Sequence, residues 1–169
     1  VDDDTVGLAA ALEAALDVVE AAKRGGRGGR LDAHMLGRAD RRGVVFYTVP
    51  GAARRGFLLT VLALERFHAL HPEQPIHAYG GHERMRLPFP VVWHGRVRPT
   101  ELNALYNQAR AGLAMSFTNI SLVAEELLAA GCVPVVNDST DARADLPSAH
   151  VVWTRPSPEA LARALSALV

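Results

Sequence analysis

From Gly43 onward the chain alternates between short, continuous apolar runs and longer segments whose apolar residues recur every three or four positions. Runs of four to six residues, flanked by Gly, Pro and small polar residues, predict strands near 44–49, 75–79, 90–93, 111–116, 133–137 and 150–153. Pro134 is tolerable in the fifth of these only near its start. Between the runs lie helical patterns. Leu58, Val61, Leu62 and Phe67 share a face over Phe57 to about Leu70, and Thr100 is the expected cap of a helix with Leu102, Leu105 and Tyr106 on its apolar face. Thr118, Asn119 and Ser121 favour a loop and a helix N-cap; Leu122, Val123, Leu127 and Leu128 follow at helical spacing, and Gly131 ends that helix. Residues 137–141 read as a polar loop. Ser157 and Pro158 open a last helix with Leu161, Ala164, Leu165 and Leu168 on one stripe. Strands that are apolar throughout, alternating with helices, predict an α/β fold: a three-layer, Rossmann-like parallel sheet.

The first 42 residues read differently. Thr5 caps an amphipathic helix with Leu8, Leu12, Ala15, Leu16 and Val19 on one stripe, and Asp2, Asp3 and Asp4 sit at its positive end. Gly25–Arg30, GGRGGR, is a flexible basic linker, and Leu31–Arg42 reads as irregular. The expected division is an N-terminal helix and linker over 1–42 and a Rossmann-like domain over 43–169.

Composition changes this picture little. The chain has 169 residues, 49% of them hydrophobic, enough for one domain with a sizeable core. Its formal net charge of +0 gives no general argument for a nucleic-acid partner. Between Lys23 and Arg55 stand nine basic residues against Asp32 and Asp40. A phosphate or membrane-surface partner, and so peripheral membrane association, explains that excess; a solvated linker explains it equally well. Cys132 is the only cysteine, which rules out an internal disulfide and a cysteine-based zinc cluster. No apolar run reaches the roughly 18 residues of a membrane helix, and a cytoplasmic location is compatible with all of this. The chain opens on Val1, as a fragment or a processed protein would.

Familiar catalytic patterns are missing. There is no G-x-S-x-G elbow, no G-x-G-x-x-G after a strand and no Walker loop. None of the seven histidines has a convincing ligand spacing, so no metal is expected; His68 and His71 read as surface residues closing a helix. No cofactor is expected either. Glu125 and Glu126 are adjacent on a helix, point about 100° apart and cannot act as an acid/base pair. What remains is the strand–loop–helix–strand of Ser116–Val136, whose helix N-terminus favours an anion such as phosphate.

That stretch resembles the donor-nucleotide motif of retaining GT-B glycosyltransferases: a Glu, seven residues, a second Glu, then a helix ending in Gly and a Pro-Val-Val strand. Glu126 stands at the second Glu, five residues before Gly131; Thr118 stands at the first. The resemblance implies that Ser121 and Leu122 offer backbone N–H groups to a diphosphate, and that Glu126 takes the ribose hydroxyls. Thr118 departs from the pattern, as happens in a subset similar to bacterial rhamnosyltransferases, and this weakens the sugar contact more than the nucleotide contact. Arg55-Gly56 matches the family's basic residue beside a Gly at the first strand–helix junction; the family's earlier Arg falls on Pro50, and Arg54 is the expected substitute. HGRVRPTELNALYNQA resembles the segment that lies against the nucleobase, with Gly95 nearest the base. The residues so implied as nucleotide-sugar-binding are Arg54, Arg55, Gly95, Tyr106, Thr118, Asn119, Ser121, Leu122 and Glu126, with Tyr106 also reading as core.

The resemblance covers Gly43–Val169. It implies half of a GT-B fold, binding a UDP, GDP or dTDP sugar whose sugar passes, with retention, to an acceptor glycan or small molecule. In this family the acceptor is held by a separate N-terminal domain, which these residues do not include. From the residues alone, a non-catalytic α/β interaction or support module of a larger enzyme stays open.

Overall fold

The computed structural model describes residues 40–81 and 84–169. The helix expected after Thr5, the GGRGGR linker and the loop residues His82 and Glu83 lie outside the described residues. In chain order the elements are β1 (Val44–Tyr47), a 3-10 turn (Ala53–Arg55), α1 (Phe57–Leu70), β2 (Ile76–Tyr79), β3 (Val92–Gly95), α2 (Pro99–Gln108), β4 (Ala111–Leu113), α3 (Leu122–Ala129), β5 (Val133–Asn137), α4 (Thr140–Asp145), β6 (Val152–Thr154) and α5 (Pro158–Ser166).

The six strands form one sheet in the order β3-β2-β1-β4-β5-β6, and every neighbouring pair is parallel. The fold is thus the expected Rossmann-like α/β sandwich. Side chains alternate across it. Val44, Phe46, Ile76, Ala78 and Leu113 face α1 and α5, in a core with Leu64, Phe67, Leu161 and Leu165. Val45, Tyr79 and Val136 face α2 and α3, with Leu105, Tyr106, Ala124 and Leu127. Helices on both faces leave the strands no polar side, which is why they read as largely apolar runs, with His77 in β2 and His94 in β3 as exceptions.

Element edges differ from the sequence expectation for identifiable reasons. Thr48 and Val49 leave the β1 ladder: the Thr48 N–H closes its last rung on the Tyr79 carbonyl at 2.8 Å, and the Gly81 N–H, next in line, goes to the Thr48 hydroxyl at 3.0 Å instead of the Thr48 carbonyl. The third strand runs over Val92–Gly95, not 90–93, since Pro90 has no N–H to donate and pairing starts at His77↔Val92. The first residue of β6 is Val152. The cap of α2 is Arg98, not Thr100: Pro99 takes the first helical position, and the Glu101 carboxylate accepts the Arg98 N–H at 2.8 Å. Within 137–141, Asn137 stays in β5 and a short helix, α4, begins at Thr140, capped by Ser139. His68 and His71 are half-buried, not surface residues, His71 lying against the Phe67 ring.

Arg41 is only 2% exposed. Its guanidinium donates to the Tyr106 carbonyl (3.4 Å), Asn107 Oδ1 (3.1 Å) and the Ala130 carbonyl (2.9 Å), at the ends of α2 and α3. Among the described residues no helix is long and apolar enough to cross a membrane.

Candidate functional site

The strand order reverses between β1 and β4: the chain steps outward to β2 and β3, then returns to the other side of β1. The loops leaving β1 and β4 therefore diverge at their C-terminal ends, which is where an open parallel sheet forms its crevice. A cleft of about 480 Å³ lies there, lined by Arg55, Asn119, Ser121, Leu122 and Glu126 with Tyr47, Tyr79, Arg96, Ile120 and neighbours.

Each wall is fixed by local chemistry. Gly56 has φ 58°, a left-handed conformation that turns the chain from the 3-10 segment into α1; a Cβ there would also meet the Phe117 ring at 2.6 Å. This turn presents Arg55, whose guanidinium donates to Ser116 Oγ at 3.1 Å. Ser116 Oγ in turn donates to the Asn119 carbonyl, and the Arg54 carbonyl accepts the Phe117 N–H at 2.9 Å. The loops after β1 and β4 are so tied to each other. Burial, then the neighbouring charge of Arg54, lowers the pKa of Arg55, yet a guanidinium remains cationic at neutral pH. Among the described residues no carboxylate pairs with it.

The second wall is hung from the sheet. Asn137, 2% exposed at the end of β5, accepts the Ser116 N–H at 2.7 Å and donates to the Ser116 carbonyl at 2.6 Å. The side-chain amide imitates a strand residue and extends the β4–β5 pairing by one rung. Asp145 accepts the Ile120 N–H at 3.2 Å, holding the loop from α4. Ser121 caps α3, its side chain accepting the Val123 N–H at 3.3 Å. Gly112 lets α3 approach: a Cβ there would lie 2.6 Å from Leu127. Glu126, one turn into α3, is exposed, and its Oε2 accepts the Tyr106 hydroxyl at 3.1 Å.

Of the residues implied by the sequence, Arg55, Asn119, Ser121, Leu122 and Glu126 come together in this cleft. Arg54 is exposed beside it, with its carbonyl spent on Phe117. Gly95 ends β3, its carbonyl accepting the Gly80 N–H at 2.7 Å, and Arg96 and Val97 rather than Gly95 line the cleft. Thr118 is exposed and donates to Asn119 Oδ1 at 3.1 Å. Tyr106 is buried beneath the cleft and reaches it through Glu126. Sequence reasoning missed Tyr47 and Tyr79 as lining residues, and Asn137 as the loop's support. The signal was their position at the C-terminal ends of strands, where parallel sheets carry their ligands.

The profile of one protein family, WsaF, C-terminal domain, matches residues 42–166. The chain belongs to that family. The WsaF C-terminal domain is a glycosyltransferase domain of the GT-B type. No curated protein matches the chain in sequence. Among solved structures, alpha,alpha-trehalose 6-phosphate synthase from Burkholderia multivorans aligns with TM-score 0.59 and 18% identity, over 91% of this chain and 40% of that one. A UDP-forming trehalose-phosphate synthase from Burkholderia xenovorans aligns with TM-score 0.60 and 16% identity, over 92% of this chain and 42% of that one. A trehalose-6-phosphate protein from E. coli bound with UDP-2-fluoro glucose aligns with TM-score 0.60 and 15% identity, over 91% and 42%. At these identities the likeness is one of fold. The chain spans about two-fifths of the length of these enzymes.

Proposed function

We propose that the WsaF-type domain binds a nucleoside diphosphate sugar in the cleft between β1 and β4, as the donor half of a GT-B glycosyltransferase. The observation that carries this is a pair of opposite charges in one cleft: among the described residues, a cationic Arg55 has no carboxylate partner and Glu126 is held only by a tyrosine. A nucleoside diphosphate answers both. The guanidinium and the amides at the start of α3 suit the diphosphate; the Glu126 carboxylate suits the ribose hydroxyls. As the sugar leaves, charge grows on the diphosphate, and Arg55, Arg54 and the amides at Ser121 and Leu122 stabilise it.

The acceptor, a glycan or small molecule, is then held by a separate N-terminal domain. A UDP donor draws support from the UDP-forming and UDP-sugar-bound structures of the same fold, and retention from a trehalose-6-phosphate synthase studied with bisubstrate mimics of transfer with retention. GDP and dTDP fit the same charges, and rhamnosyl transfer accords with Thr118 in place of Glu. One observation favours a non-catalytic binding module instead: Thr118 is exposed, outside the residues that line the cleft, and leaves the sugar without that contact.

Calorimetry with UDP, GDP and dTDP tests the proposal. At least one binds the wild-type chain. Glu126→Gln weakens that binding with little change in melting temperature, whereas Glu125→Gln changes neither. Absence of binding by all three nucleotides overturns the proposal, and a Glu126→Gln variant that melts earlier but binds normally makes the residue structural.

A further inference from the structure

Two tyrosines lie beneath Glu126. Tyr79 ends β2 and Tyr106 lies on the inner face of α2, at 4% and 2% exposure. Their rings meet edge-on with centroids 5.8 Å apart, and their hydroxyl oxygens are 2.5 Å apart. The Tyr106 hydroxyl continues to Glu126 Oε2. Each phenol carries one proton, and burial raises both pKa values far above the ordinary tyrosine range, so both protons stay in place at neutral pH. An ionised carboxylate only accepts. The proton of Tyr106 therefore goes to Glu126, and Tyr79 has to donate to the Tyr106 oxygen. The chain runs in one direction, from Tyr79 to Tyr106 to Glu126, and it ends in the cleft.

A glutamate on a helix surface ordinarily samples several rotamers, and a ligand must freeze them. Here the carboxylate is gripped from below before any ligand arrives. We infer that Tyr106, backed by Tyr79, is a positioning residue that occupies Glu126 Oε2 and leaves Oε1 and the remaining acceptor capacity to the ligand's sugar hydroxyls. This role presupposes the nucleotide site proposed above. It makes recognition of those hydroxyls, and not of base or phosphate, depend on two buried phenols.

The experiment measures binding of UDP, GDP and dTDP, each beside its 2′,3′-dideoxy form, to the wild type, Y106F, Y79F, E126Q and the double variant Y106F/E126Q. Y106F weakens the hydroxyl-bearing nucleotides about tenfold, the lower end for a hydrogen bond to a charged group. It leaves the dideoxy forms unchanged, and it adds no loss once Glu126 is Gln. Y79F gives a smaller loss with the same selectivity, and it carries the test if Y106F does not fold. Equal weakening of both nucleotide forms, no weakening of either, or an undiminished Y106F effect in the E126Q background overturns the positioning role while the nucleotide site stands. A wild type that binds none of the nucleotides removes both together.

Discussion

Acidification should destabilise this domain well before its carboxylates protonate, because of one histidine pair. His77, 8% exposed on β2, has its Nδ1 3.0 Å from His94 Nε2 on β3. Burial first, and the neighbouring His94 second, push the His77 pKa down from 6.5 to about 4. Burial lowers His94 as well. A histidine whose folded pKa is depressed binds its proton more readily in the unfolded chain. Its contribution to stability is therefore complete above about pH 6.5 and is lost as pH falls toward 4. The full gap between 6.5 and about 4 corresponds to roughly 3 kcal/mol, of which about 2 kcal/mol is gone by pH 5. Glu101, Asp138 and Glu159 have lowered pKa values too, each through an Arg or hydrogen-bond partner, but they act only near and below their ordinary values of 4.5 and 3.8. The interval from pH 7.5 to 5 thus isolates the histidines. Urea unfolding at those two pH values, followed by the fluorescence of Trp93 and Trp153, measures the difference. His77→Asn should remove most of it and leave a smaller slope from His94. Equal unfolding free energies at pH 7.5 and pH 5 in the wild type would refute the reasoning.

Three other perturbations have defined outcomes. Arg55→Ala should weaken nucleoside diphosphate binding by about 1.5–3 kcal/mol and nucleoside binding little; titrating both ligands checks this, and equal losses mean that Arg55 reads no phosphate. Gly112→Ala puts a methyl 2.6 Å from Leu127 Cδ1 and 3.1 Å from Val45, so thermal or urea unfolding should show a loss of about 1–3 kcal/mol. Asn137→Ala strips the buried N–H and carbonyl of Ser116 of their partners and should cost about 2–4 kcal/mol by urea unfolding. Asn137→Asp, which keeps the acceptor but sets a carboxylate against the Ser116 carbonyl, should fare no better.

Strand identity was legible because a sheet covered on both faces favours apolar residues on either side, as in the run Val133–Val136. Strand ends were not, because they depend on where a backbone group finds a better partner. Thr48 and Val49 have strong β character but sit beyond the ladder, because the Thr48 hydroxyl takes the Gly81 N–H that would pair next. The short helix Thr140–Asp145 was missed because TDARAD buries a single side chain, Ala142, and so shows no stripe. At the candidate site, Arg55 was legible through the resemblance of Arg55-Gly56 to the basic residue and glycine of the GT-B pattern, which are adjacent in sequence. Tyr47 and Tyr79 were not. A tyrosine at the end of an apolar run reads as core, and only the register Tyr47↔Tyr79 brings the two rings together at the cleft. Asn137 was hidden likewise, because its partner Ser116 is 21 residues away.

Arg41 lies ahead of the point where the alternating pattern begins, yet it bears on where this domain can be cut. Its guanidinium reaches the carboxyl ends of α2 and α3 together, so one positive charge offsets the negative ends of two helix dipoles. Excision at Gly43, the boundary that hydrophobic pattern alone recommends, would remove that charge from both helix ends, and from α2 also the Arg42 N–H that the Gln108 carbonyl accepts at 2.8 Å. The two helices so affected are the ones that carry Tyr106 and Glu126. A fragment meant to retain its cleft therefore has to start upstream of Arg41, and a shorter one should lose cooperative melting before it loses any strand.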